Sequence, residues 1–154
     1  MYFFFNLPDI VGAKDARFTH EGLSRNYAQR ILKKVWKTAH NLGHGEYFAY
    51  QMTPQIIDDH YYLNAVANIP TIDIIEHDMN TKSGFNKHWH THGDDMNNID
   101  KNTLNAVGQT VTSVWSNECP IGFGVDGGAG DRSAIHPSLF GIGVVGRLSS
   151  QLPH

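Results

Sequence analysis

The run Thr71-Ile72-Asp73-Ile74-Ile75 constrains this chain more than any other stretch. Its other residues are β-branched, so it reads as a strand buried in a sheet. Asp73 in its middle is costly to bury unless a partner meets it, and His60 and His92 are the candidates. A second apolar run over residues 2–7 suits a central strand. Pro8 should end that strand, because proline removes a ladder hydrogen bond. Asp9 then falls at the C-terminal end of the strand, where open α/β sheets build their sites.

Helical spacing separates these strands. Residues 24–42 repeat Ala28, Leu32, Val35, Trp36 and Ala39 on one face, and Gly43 is a suitable stop. Residues 58–67 read as a second helix, with Tyr61, Tyr62, Ala65 and Val66 as its apolar face and Asp58 or Asp59 as its cap. Asp100 can cap a third, over 101–117, whose apolar face is Leu104, Val107, Val111, Val114 and Trp115. Residues 47–50 suit a short strand, and residues 12–22 read as loop. Strands alternating with helices make this an α/β chain.

At 154 residues the chain has the length of a single domain with a real core. Its formal net charge of −3 argues against a nucleic-acid surface. The single cysteine, Cys119, excludes an intrachain disulfide and a cysteine zinc cage. No apolar run approaches the length of a membrane span. Residues 1–5 are too short for a signal-peptide core and lack a basic leader, and read as a strand whose upstream neighbours are missing. From Pro120 onward the chain carries about half of its 15 glycines and loses all periodicity. We place a domain over 1–118 and a Gly-rich tail over 119–154, either a linker or residues foreign to the domain; a genuine appendage is the competing reading.

Chemistry concentrates in the polar loop 76–98, since loops this long inside a domain are usually functional or mobile. Histidine is over-represented, at ten residues. The segment Trp89-His90-Thr91-His92-Gly93-Asp94-Asp95 packs imidazoles beside carboxylates, the donor types that bind and orient zinc. Thr91 and the Asp94–Asp95 pair are placed to hold the ring of His90. His20, His40, His44, His136 and His154 read as loop, helix-surface or tail residues.

Taken in order, several stretches resemble a known family. They are Asp9-Ile10-Val11-Gly12-Ala13, Lys33-Lys34-Val35-Trp36, Asp58-Asp59-His60, Ile69-Pro70 through Ile75, Trp89-His90-Thr91 through Asp95, Asn98-Ile99-Asp100, and Thr103-Leu104 with Val107 through Val111. Together they resemble the C-terminal half of the M28 zinc-peptidase family, most closely its bacterial glutaminyl-peptide cyclotransferase branch. The resemblance implies an α/β/α sandwich around a mixed sheet, with zinc at the strand ends. It places a zinc ligand on His90. Asp9 becomes a second-zinc ligand in the aminopeptidase pattern and the holder of the substrate amine in the cyclotransferase pattern. Asp58 is implied to join the active-site hydrogen-bond network, its alternative being a helix cap. Trp89 is implied to be a pocket wall, its alternative a core aromatic. The substrate implied is a peptide with a free N-terminus, glutamine in the cyclotransferase case, converted to pyroglutamate with loss of ammonia.

The same resemblance implies that the other zinc ligands and the general-base glutamate lie upstream of the matching segment. Glu21, Glu46, Glu76 and Glu118 are the only glutamates, and none sits in the family's Glu-Glu context. A catalytic zinc takes about three protein ligands, which one histidine and one aspartate cannot supply. The expectation is therefore a fragment truncated at its N-terminus and inactive alone, completed by a missing segment or a second copy. The alternatives are a zinc aminopeptidase of the same fold and a non-catalytic remnant that binds a partner through an open sheet edge. Export to the periplasm or beyond is what the resemblance implies for full-length relatives.

Overall fold

The computed structural model describes residues 4–118. The elements run β1 (Phe5–Asp9), β2 (Phe18–His20), α1 (Gly22–Asn41), β3 (Phe48–Met52), α2 (Asp59–Ala65), β4 (Thr71–Ile75), a short 3-10 turn (Met96–Asn98) and α3 (Lys101–Glu118). The expected tail lies outside the described residues.

All five residues of β4 are buried. It pairs in parallel with β1, Leu7 opposite Asp73 and Asp9 opposite Ile75. β2 pairs in parallel with β3, Phe18 opposite Phe48. An antiparallel bridge between Phe18 and Glu76 links the two pairs, so the strands meet in both senses, as in a mixed sheet. Pro8 does not end β1 as expected; it sits inside the paired stretch opposite Ile74. β1 has no second neighbour among the described residues, and such a strand tolerates the N–H that proline lacks.

α1 buries the expected stripe of Ala28, Leu32, Val35, Trp36 and Ala39. Trp36 is fully buried, donates its indole N–H to the Ala49 carbonyl at 3.0 Å, and meets the Phe48 ring edge-on. The helix starts earlier than its apolar pattern, because the Glu21 carboxylate accepts the N–H groups of Leu23 and Ser24 and caps it. Gly43 ends the segment at φ +87°, a left-handed position suited to glycine.

Three further expectations need correction. Residues 12–22 are not all loop: β2 lies there, too short to show alternation, and His20 belongs to it. α2 does not bury its tyrosine face. It buries His60 and Asn64, while Tyr62 and Val66 stay 58% and 74% exposed. α3 buries Thr103, Ala106, Val107, Thr110 and Val114, leaving Leu104 and Trp115 half exposed. Its buried threonines direct their hydroxyls to carbonyls, Thr103 to Ala13 and Thr110 to Ala106. Satisfied in this way, they behave as small core residues.

Asn64 explains why a polar face of α2 turns inward. Its amide donates to the His60 and Thr71 carbonyls at 2.7 and 2.8 Å and accepts the Thr71 N–H at 2.9 Å. One side chain thereby fixes α2 to the start of β4. Asn64→Ala would strand two backbone groups of Thr71 in the interior. It is expected to cost about 2–4 kcal/mol in urea unfolding, whereas Tyr62→Ala on the exposed face should change little.

Candidate functional site

β1 and β4 end side by side, and their ends carry Asp9 and Ile75. Just beyond β1 the chain turns sharply, with Ile10 at φ +50° and its N–H bonded to Asp9 Oδ1 at 2.9 Å. Asp58 caps α2, accepting the Asp59 N–H at 2.7 Å. The capping expectation for this residue holds, and its carboxyl also faces Asp9. Burial raises the pKa of Asp9, and the hydrogen bond and charge of Asp58 raise it further, against the opposing Ile10 N–H. The effect on Asp9 is that of one negative charge disfavouring another beside it.

Asp73 lies in the interior behind this pair, 1% exposed, with neither carboxyl oxygen hydrogen-bonded among the described residues. Its nearest polar partner is the His60 ring, whose Nδ1 is 3.6 Å from Asp73 Oδ2. His60 is therefore the partner that the strand required, and His92 is exposed on the loop. Burial pushes Asp73 well above the carboxylate range, and the charges of Asp58, Asp9 and Glu21 push the same way. On its other side His60 Nε2 is 3.2 Å from Glu21 Oε2. Burial would raise Glu21, yet His60 and the N–H groups of Ser24, Leu23 and Ile56 hold it at about 2.

Glu21 is the residue that sequence reasoning missed. It lies outside any recognisable motif, and its role depends on partners at 56 and 60, which only the fold brings near. The loop 76–98 holds the other expected residues. The rings of Trp89 and His90 stack at 3.9 Å and 16°, and Phe85 packs against Trp89 at 4.7 Å. His90 is exposed and sits at φ +57°. Thr91 and the aspartates do not hold its ring as expected. Thr91 Oγ1 donates to the His88 carbonyl, Asp95 caps the 3-10 turn, and Asp94 is exposed. Trp89 steadies the imidazole instead. The loop returns to the site end of β1 through the Ala13–Ile99 bridge and the Asp100 N–H to Gly12 carbonyl bond of 2.8 Å.

Asp9 and Asp58 are thus brought together, and Trp89 and His90 form a second group on the loop. Among the described residues no group of three or more His, Cys, Asp or Glu side chains could hold a metal ion. The donors present do not by themselves make a zinc site.

The ionisation of the buried groups carries a signature in stability. Glu21, depressed to about 2 from an ordinary 4.5, contributes stability that is full above pH 4.5 and is lost as pH falls towards 2. The amount is on the order of 3 kcal/mol. Asp73, raised above 3.8, acts in the opposite sense, its contribution being lost as pH rises above that value. Urea titrations across pH should show Asp73→Asn gaining on the parent from pH 4 to 7. Glu21→Gln should lose at neutral pH and converge with the parent in acid.

Residues 1–115 match the model of peptidase family M28. The fold is similar to Bacteroides thetaiotaomicron glutaminyl cyclase bound to N-acetylhistamine (TM-score 0.72, 48% identity, covering 75% of this chain and 39% of that one). It is similar to Tannerella forsythia glutaminyl cyclase (0.73, 45%, 75% and 40%). It is also similar to a Zn-dependent exopeptidase from Parabacteroides distasonis (0.71, 46%, 72% and 38%). The chain spans about two-fifths of the length of each of these relatives. No curated protein matches it. With a parallel α/β frame, strand-end carboxyls and a family match over most of its length, the chain belongs to peptidase family M28.

Proposed function

We propose that residues 1–118 are part of a glutaminyl-cyclase-type catalytic domain, one that converts N-terminal glutamine to pyroglutamate with loss of ammonia. The observation that carries this reading is the Asp9–Asp58 carboxyl pair at the end of β1. In cyclisation the α-amine attacks its own γ-carbonyl, and a proton must travel from the amine to the departing ammonia. A carboxylate at Asp9 accepts an N–H of the amine and fixes its direction of approach. Asp58 hydrogen-bonds Asp9 and helps to raise its carboxyl, which makes Asp9 readier to take up and return a proton. Trp89, backed by Phe85, supplies a flat apolar wall for the substrate side chain.

Zinc is the cofactor of this reading, and His90 would be one of its donors. The described residues bring no three such donors together, so this ligand set is not complete within them. An aminopeptidase reading has its own support, since the relatives of equal similarity include a Zn-dependent exopeptidase and a leucine aminopeptidase precursor. The product separates the two: ammonia with an intact peptide against a free N-terminal residue.

The chain alone is expected to give no turnover and no stoichiometric zinc. Residues 1–118 grafted in place of the matching segment of the Bacteroides thetaiotaomicron relative should cyclise a glutamine-initiated peptide. Asp9→Asn and Asp58→Asn should each lower kcat/KM by about a hundredfold. His90→Ala should strip zinc from the chimera. Release of free glutamine in place of ammonia would move the assignment to the exopeptidases, and a folded chimera indifferent to Asp9 and Asp58 would sink it.

A further inference from the structure

Glu21 touches neither the Asp9–Asp58 pair nor the His90 loop, yet its carboxylate is fully buried and has four partners. Oε1 accepts the N–H groups of Leu23 and Ile56 at 2.7 and 2.8 Å. Oε2 accepts the Ser24 N–H at 2.7 Å and lies 3.2 Å from His60 Nε2. These partners belong to three segments: the first turn of α1, the approach to α2, and the first turn of α2. Asp58 lies between the last two. Its backbone is therefore tied to Glu21 on both sides, two residues before and two residues after.

The approach to α2 is held against β2 and α1 along the way. Thr53 donates its N–H to the His20 carbonyl, Gly22 donates to the Pro54 carbonyl, and the Thr19 and Thr53 hydroxyls bond at 2.8 Å. Gly22 is what permits this contact. A Cβ there would lie 2.9 Å from the Gln55 backbone nitrogen, closer than side chains tolerate. The residue after Glu21 must be glycine for Ile56 to reach the carboxylate.

We propose that Glu21 is a positioning residue for the Asp9–Asp58 pair, acting through Ile56 and His60 to fix where the cap of α2 meets the end of β1. The proposal rests on reading Asp9 and Asp58 as the functional carboxyls. It differs from a plain capping role in what it requires. A cap of α1 needs only the bonds to Leu23 and Ser24, whereas positioning needs the two bonds that cross to residues 56 and 60.

The test uses the full chain with 13C-labelled aspartate and reads carboxyl resonances, so it needs no turnover and stands apart from the cyclase assignment. Glu21→Gln removes the charge that gathers the four partners. Gly22→Ala leaves Glu21 and His60 intact and pushes residues 55 and 56 away. Val114→Ala, in the core of α3, is the control for lost stability alone. The Glu21 and Gly22 variants should both move the Asp58 and Asp9 signals and speed amide exchange at Asp59 by about tenfold, the loss of roughly one hydrogen bond. Val114→Ala should leave those signals in place. Unmoved Asp58 and Asp9 signals in either variant that folds, or equal movement in the Val114 control, would overturn the proposal.

Discussion

Two carboxyl groups and one imidazole share the interior between α1, α2 and β4, and the rest of the structure is arranged so that they can stay there. Glu21, His60 and Asp73 are each buried to within about 1%. Charges taken from water at this depth are tolerated only when fixed partners replace the solvent. Glu21 has a full set of such partners, three of them backbone N–H groups. Asp73 has almost none, and burial pushes its carboxyl well above the ordinary range. One acid is kept charged and the other is driven towards neutrality within a single cluster, and His60 lies between them. The outer pair, Asp9 and Asp58, stands at the margin of this cluster, and its charges raise Asp73 further.

The same cluster explains the polar character of α2. A seven-residue helix has little helical stability of its own and forms because something holds it. Here the hold is hydrogen bonding: Asp58 at its cap, His60 to Glu21, and Asn64 to β4. Apolar side chains on its other face are left outside, Tyr62 and Val66 among them. Helix position thereby becomes sensitive to donors and acceptors, which have direction, and less to hydrophobic contact, which does not.

Much of the frame was legible in the sequence where the signal was local and repeated. The stripe from Ala28 to Ala39 fixed α1, and the β-branched run gave β4 to the residue. Asp58 as cap and Asp100 beneath α3 followed from short-range chemistry. Legibility failed where a residue answered to a distant partner. β2 is three residues long and exists because Phe18 meets Phe48 and Glu76. The inward face of α2 is polar because β4 and Glu21 present polar groups to it, a fact absent from its own periodicity. The Trp89–His90 stack replaced the expected support from Thr91 and the aspartates, since those side chains found nearer backbone partners. Of the site, the sequence carried the residue types at Asp9, Asp58 and His90, and only the fold showed which of them meet.

Phe18 has a consequence for how the domain comes apart. It is the position at which the β2–β3 pair is bridged to the β1–β4 pair, through Glu76. A seam so thin transmits little through backbone bonds. What makes the two strand pairs lose structure together is the side-chain mass above them, where Phe18, Phe48 and Trp36 interlock beneath α1. Cooperativity here resides in packing, and the sheet inherits it. Shrinking one of those rings would do more than subtract stability: it would let β2 and β3 melt ahead of β1 and β4, turning a single unfolding transition into two.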